Sequence, residues 1–117
     1  MNVLDQLKRM TTVVADTGDF DSIRAFTPRD ATTNPSLLYA AAQMPAYEHL
    51  VERAIRLSGI TPAAEGSLAP LLERLAVEFG KEILSVVEGR VSVEVDATLS
   101  FNTAATIDTA RRIIAYF

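Results

Sequence analysis

Apolar positions recur along this chain with two periods, one of three to four residues and one of two. Their alternation predicts helices and strands in turn. Val3, Leu4, Leu7 and Met10 sit at helical spacing behind Asn2, a good N-cap, so a short amphipathic helix comes first. Residues 11–15 are brief and β-branched and run into the turn cluster Asp16-Thr17-Gly18-Asp19. That predicts a first strand with Asp16 at its C-terminal end and Asp19 as the cap of the next helix. Phe20, Ile23 and Phe26 then share one helical face, and Thr27-Pro28 ends that helix because the residue before proline avoids the helical region.

Residues 30–34 predict a second strand feeding directly into a helix at Pro35, where a missing N–H costs nothing. That helix carries Leu37, Leu38, Ala41 and Ala42 until Pro45, where it kinks or restarts over residues 46–57 and stops at Gly59, a natural left-handed cap. A polar link covers residues 61–66. Leu68, Leu71, Leu72, Leu75, Phe79, Ile83 and Val86 then mark the strongest helix as a core stripe, and Gly89 stops it. Over residues 90–96 the alternation is strict: Val91, Val93 and Val95 on one face, Ser92, Glu94 and Asp96 on the other. Asn102 caps a last helix whose expected buried stripe is Ile107, Ala110, Ile113, Ile114 and Phe117.

Three strands separated by helices imply parallel pairing and an α/β fold. No internal repeat, low-complexity tract or boundary interrupts residues 1–117, which read as a single domain. A parallel sheet normally buries both faces, yet each strand here turns polar groups to one side: Thr12 and Asp16, then Asp30, Thr32 and Asn34, then Ser92, Glu94 and Asp96. That pattern suits the interior of a (β/α)8 TIM barrel, whose active site lies at the C-terminal strand ends. Such a barrel takes roughly 250 residues. The expectation is therefore a partial barrel, its first three strands with their helices, open to rearrangement or strand exchange because it is truncated. A doubly wound receiver-like domain is the right size but needs more strands than the pattern contains.

Composition narrows the chemistry. Eleven Lys and Arg stand against fifteen Asp and Glu, a net charge of −4, which offers nucleic acid or an anionic membrane no footprint. There is no cysteine, so disulfides and thiolate chemistry are excluded, and His49 is the only imidazole. No metal site is expected. The N-terminus lacks a signal-peptide pattern, and no apolar window reaches the roughly 18 residues of a spanning helix, so a cytoplasmic protein is expected. The mean hydropathy of +0.18 is apolar for so small a chain. Since small domains bury only about 60 to 70% of their unfolded surface, a homo-oligomer or a complementing chain is expected to cover the remainder.

Three stretches carry something more specific: Thr11 through Asp19, then Asp30-Ala31-Thr32-Thr33-Asn34-Pro35-Ser36-Leu37, then Arg90-Val91-Ser92-Val93-Glu94-Val95-Asp96. In order and spacing they resemble the N-terminal part of the transaldolases, transferases of the pentose phosphate pathway. The resemblance implies a Schiff-base mechanism that carries a dihydroxyacetone unit from sedoheptulose 7-phosphate or fructose 6-phosphate to an aldose phosphate, without metal or organic cofactor. By match of motif, Asp16 is the acid/base that takes the sugar hydroxyl proton, and Glu94 works through a water while the carbinolamine forms and dehydrates. Asn34 and Thr32 bind substrate hydroxyls or the covalent intermediate.

The resemblance places the reactive lysine on a fourth strand, beyond Phe117. The two lysines present, Lys8 and Lys81, fall in helices. The expectation is that this chain alone is inactive, since losing a covalent nucleophile removes most of the rate. Plainer roles compete: Asp16 as a turn cap, Asn34 as an N-cap, Glu94 and Asp96 as a solvated edge or cation ligands, His49 as a surface residue. The alternative from another class is a non-catalytic, self-associating half-barrel module.

Overall fold

Asn2 opens α1 (Val3–Met10) through a capping box, its Oδ1 accepting from the Asp5 amide at 2.8 Å while the Asp5 carboxylate accepts from the Asn2 amide at 3.3 Å. The structure, a computed structural model, describes residues 1–61 and 66–117; residues 62–65 of the expected polar link lie outside the described residues. After α1 come β1 (Val14–Asp16), α2 (Phe20–Phe26), β2 (Asp30–Thr32) and α3 (Pro35–Ala42). A 3-10 turn at Pro45–Tyr47 restarts the chain into α4 (Glu48–Ser58), followed by α5 (Ala69–Leu84), β3 (Val91–Ser92) and α6 (Thr103–Tyr116).

The caps fall where side-chain chemistry demands. Asp19 accepts from the Asp21 amide at 3.2 Å, Asn34 from Leu37 at 3.0 Å and Asn102 from Ala105 at 3.0 Å. Gly59 ends α4 in the left-handed region with φ 70°. Thr27 ends α2 the same way at φ 44°, because Pro28 disfavours the right-handed helical region for it.

The strands are parallel in the order β1-β2-β3, the arrangement of a partial (β/α)8 barrel. Ala15, Ala31 and Val91 share one row, facing the helices, and Asp16, Thr32 and Ser92 share the next, facing the other way. Phe20, Ile23, Tyr47, Leu50, Phe79 and Ile83 are buried in the core. α5 is its axis, packing on α2, α3, α4, α6 and β3. Among the described residues no helix is long and apolar enough to cross a membrane.

Three expectations need correction. The third strand is hydrogen-bonded only at Val91–Ser92, although the alternation persists to Val95. Its partner β2 turns away into α3 after Thr33, whose amide donates to Ser92 O at 3.0 Å, so the ladder runs out of partners. The α6 stripe is largely open, with Ile107 44%, Ile114 71% and Phe117 46% exposed and Ile113 alone of the five fully buried. Leu68 and Leu72, at the start of the α5 stripe, are also exposed. In each case the face is the expected one, but among the described residues no element covers it.

Gly89 serves a different purpose from the expected helix stop, since α5 ends at Leu84. Its amide donates to Arg29 O at 2.8 Å, and the Asp30 carboxylate accepts from the next amide, Arg90, at 2.7 Å. A Cβ at Gly89 would lie inside van der Waals contact of Asp30 Oδ1 and 2.8 Å from Arg29 O. Gly89→Ala is therefore expected to cost about 2–4 kcal/mol, from a lost charge-assisted hydrogen bond plus backbone displacement. Chemical denaturation of Gly89→Ala, Asp30→Ala and the double variant checks this, with a double-variant loss smaller than the sum of the singles.

Candidate active site

Each strand delivers one polar side chain to the outer row because side chains alternate and the three strands are in register. Asp16 is the last residue of β1 and Thr32 the last of β2, and they are Cα partners. The Thr32 hydroxyl donates to Asp16 Oδ1 at 2.9 Å. Ser92, the partner of Thr32 on β3, completes the row. Asp16 and Ser92 are exposed and Thr32 half-buried. The result is a carboxylate held by a hydroxyl on an open sheet face, at the C-terminal edge where barrel enzymes bind substrate.

Asn34 and Glu94 lie further along the same alternation, and no hydrogen bond links either to Asp16 among the described residues. The Asn34 carbonyl is committed to the Leu37 amide as the cap of α3. Its amide NH2 still offers two donors to a ligand. Glu94 is exposed beyond the last ladder bond. Asp96 is used locally: it accepts from the Thr98 amide at 2.8 Å, and that bond holds its carboxyl below the usual carboxylate range. His49 is exposed on α4.

Neither lysine reaches this face. Lys8 donates from Nζ to Phe26 O at 2.6 Å and Thr27 Oγ1 at 2.7 Å. Those acceptors close α2 beside the start of β2, at the opposite edge of the sheet from Asp16. Lys81 lies exposed in the last turn of α5, which likewise leads to the start of a strand.

Sequence reasoning assigned no role to Ser92, although its parity put it on the polar face. It also missed Tyr47. Tyr47 OH donates to Asp19 Oδ1 at 3.2 Å and accepts from the Phe20 amide at 3.1 Å. A contact spanning 28 residues leaves no local signal. Ser22 Oγ donates to the other Asp19 oxygen at 2.7 Å. The Ser22 bond first, then those from Tyr47 and the Asp21 amide, hold the Asp19 carboxyl below its usual range against the opposing effect of burial. Burial pushes the Tyr47 phenol up. This network fixes the loop between β1 and α2, immediately after Asp16.

A carboxylate lowered on folding stabilises the native state above its unfolded pKa, about 3.9, and loses that contribution as pH falls through the folded value. Asp19→Ala is expected to cost about 1–2 kcal/mol at pH 7, the usual range for a lost N-cap. Thermal unfolding across pH checks the sign: the gap between wild type and variant should be full above pH 5 and shrink toward pH 3. A constant gap would show that the charge contributes nothing.

Parallel strands joined by helices, with a carboxylate and a hydroxyl in register at their C-terminal ends, define a segment of a barrel of the enzyme-bearing kind. Residues 13–117 match the transaldolase/fructose-6-phosphate aldolase family, and the chain belongs to that family. A transaldolase of Prochlorococcus marinus (strain MIT 9313) is 56% identical over 119 residues, covering 98% of this chain and 30% of that protein. One from Thermosynechococcus vestitus is 54% identical over 123 residues, covering all of this chain and 31% of its own length. A third, from Nostoc sp. PCC 7120, is 52% identical over 120 residues, covering 99% of this chain and 36% of its own. The chain thus spans about a third of the length of the curated relatives it matches.

Proposed function

We propose that these residues form the proton-handling and hydroxyl-binding wall of a transaldolase active site. The observation that carries this reading is the Thr32 to Asp16 hydrogen bond, 2.9 Å, at the C-terminal strand ends of a chain belonging to this family. The substrates are sugar phosphates, sedoheptulose 7-phosphate or fructose 6-phosphate as donor and an aldose phosphate as acceptor, in the cytoplasmic pentose phosphate pathway.

In this reading a lysine amine outside these residues condenses with the ketose carbonyl, releasing water. Glu94 relays protons through a water during that condensation. The Asp16 carboxylate then takes the proton of the hydroxyl on the carbon to be released. The carbon–carbon bond breaks, its electrons flow into the iminium, and the aldose phosphate departs as an aldehyde. The three-carbon enamine adds to the acceptor aldehyde by the reverse steps, with Asp16 returning the proton. Thr32 orients the carboxylate and Asn34 presents its amide donors to substrate hydroxyls. Residues 1–117 alone are inactive, because Lys8 and Lys81 lie at the wrong edge of the sheet.

Borohydride reduction of the 117-residue chain with fructose 6-phosphate tests the last point. Intact-mass analysis is expected to show no adduct, and an adduct on Lys8 or Lys81 would overturn the proposed inactivity. The positive part is tested by grafting this chain in place of the matching third of the Prochlorococcus relative. The chimera is expected to transfer dihydroxyacetone units; a folded but inert chimera would refute the assignment.

A further inference from the structure

The loop that follows Asp16 is held residue by residue. Thr17 Oγ1 accepts from the Asp19 amide at 3.1 Å, closing the backbone between β1 and α2 on itself. Gly18 is buried against α3, where a Cβ would come 2.9 Å from Ala41 Cβ and 3.2 Å from Leu37 O, so the loop backbone lies directly on that helix. Asp19 receives the Tyr47 hydroxyl at 3.2 Å, and the Tyr47 oxygen accepts from the Phe20 amide at 3.1 Å. Tyr47 is itself buried, its ring centroid 4.5 Å from that of Phe20. It belongs to the same rigid unit as Asn34. α3 starts at Pro35 under the Asn34 cap, and its far end passes straight into the 3-10 turn, the Met44 amide donating to Ala41 O at 3.0 Å and the Tyr47 amide to Met44 O at 3.0 Å. Asn34 therefore stands at one end of this unit and the Tyr47 phenol at the other, with the loop after Asp16 seated on Ala41 between them.

We propose that Tyr47 is a positioning residue for the Asp16 carboxylate, its hydroxyl fixing, through Asp19, where Asp16 stands relative to Asn34. This role rests on the transfer chemistry proposed above and adds to it a kinetic function for a side chain that touches no substrate. Asp16 has to meet the proton of one sugar hydroxyl while Asn34 holds hydroxyls of the same sugar, so the spacing of the two groups decides whether a bound ketose is aligned to react. β1 is only three residues long and ends at Asp16, so the loop after it holds that residue as much as the ladder does. Thr32 orients the carboxylate from the neighbouring strand, and the Tyr47 bond keeps the loop from drawing it away. Packing accounts for the ring of Tyr47 but not for its hydroxyl. A phenylalanine would fill the same space between Phe20 and Phe79 with no polar atom to satisfy. The hydroxyl instead spends both its donor and its acceptor on the first residues of α2 and its cap.

Steady-state kinetics of the chimera with fructose 6-phosphate test this. Tyr47→Phe keeps the ring and removes both hydroxyl bonds. It is expected to lower kcat about tenfold while KM moves less than about threefold, since a displaced acid/base costs turnover more than binding. Asp30→Ala loses its bond to the Arg90 amide at the opposite ends of the strands and serves as the control for lost stability, with kcat expected within about twofold of wild type. In an Asp16→Asn background Tyr47→Phe should cost less than about twofold, because the group it positions is already gone. Asp19→Ala cuts the same bond from the loop side. It enters the same cycle with the same expectation and carries the test if Tyr47→Phe does not fold. Equal fold-losses in the two backgrounds would overturn the proposal, as would a loss no larger than that of Asp30→Ala. If Asp16→Asn is crippled while Tyr47→Phe and Asp19→Ala keep full kcat, the positioning role alone falls. If Asp16→Asn keeps more than about a tenth of wild-type kcat, the transfer reading falls and this role with it.

Discussion

In a Prochlorococcus transaldolase whose matching third is replaced by this chain, Asp16→Asn is expected to lower kcat by about 10²–10⁴ with little change in KM, the span expected when a positioned acid/base is removed. The substitution keeps the side chain's size and an oxygen able to accept from the Thr32 hydroxyl, so binding and geometry survive. The loss is of a group that takes a proton from the sugar hydroxyl and gives it back. Thr32→Val separates orientation from chemistry. It removes only the 2.9 Å hydrogen bond and is expected to cost about ten- to a hundredfold, in line with a bond to a charged acceptor. Because Asp16 is exposed, the melting temperature of the 117-residue chain should barely move in Asp16→Asn. Steady-state kinetics with fructose 6-phosphate as donor decide the matter: a variant keeping more than a tenth of wild-type kcat removes Asp16 from the proposed mechanism.

The largest stability effect is expected at Phe79. Its side chain is fully buried in α5, with ring centroids 5.7 Å from Phe20 and 5.9 Å from Tyr47, the latter edge-to-face. Phe20 and Tyr47 are themselves 4.5 Å apart, so the three rings close a cluster beneath the loop after Asp16. Phe79→Ala opens a cavity there and is expected to cost about 3–5 kcal/mol. Domains of this size commonly have about 5–15 kcal/mol in total, and the predicted drop in Tm is roughly 15–20 °C. Phe79→Leu, which keeps most of the volume, should cost less than half as much. Denaturant unfolding compares them, and a loss below about 1 kcal/mol for Phe79→Ala would mean that the cluster is not the core of the fold.

Other parts of the packing join elements by long side chains. Arg112 on α6 grips Glu73 on α5 with two bonds of 2.8 and 2.7 Å, and the Arg74 guanidinium lies 3.4 Å from the centroid of the Tyr116 ring. Glu78, buried, is matched by Arg53 of α4 at 3.2 Å. These contacts fasten α6 and α4 to α5.

Local chemistry was legible from the chain alone. The caps at Asn2, Asp19, Asn34 and Asn102, the entry of Pro35 into α3 and the left-handed exit at Gly59 depend on a few neighbouring bonds, and all stand where the residues place them. The period of two likewise assigned Asp16, Thr32 and Ser92 to the face opposite Ala15, Ala31 and Val91. Tertiary structure alone decided which apolar stripes are covered, so that Ile113 is buried while Ile114 beside it is open. It also decided where the β3 ladder ends, why no side chain fits at Gly89, and that Tyr47 anchors Asp19. The reason is physical: a period reports the direction a side chain takes from its own backbone, whereas burial, register and clearance depend on what another part of the chain brings to meet it.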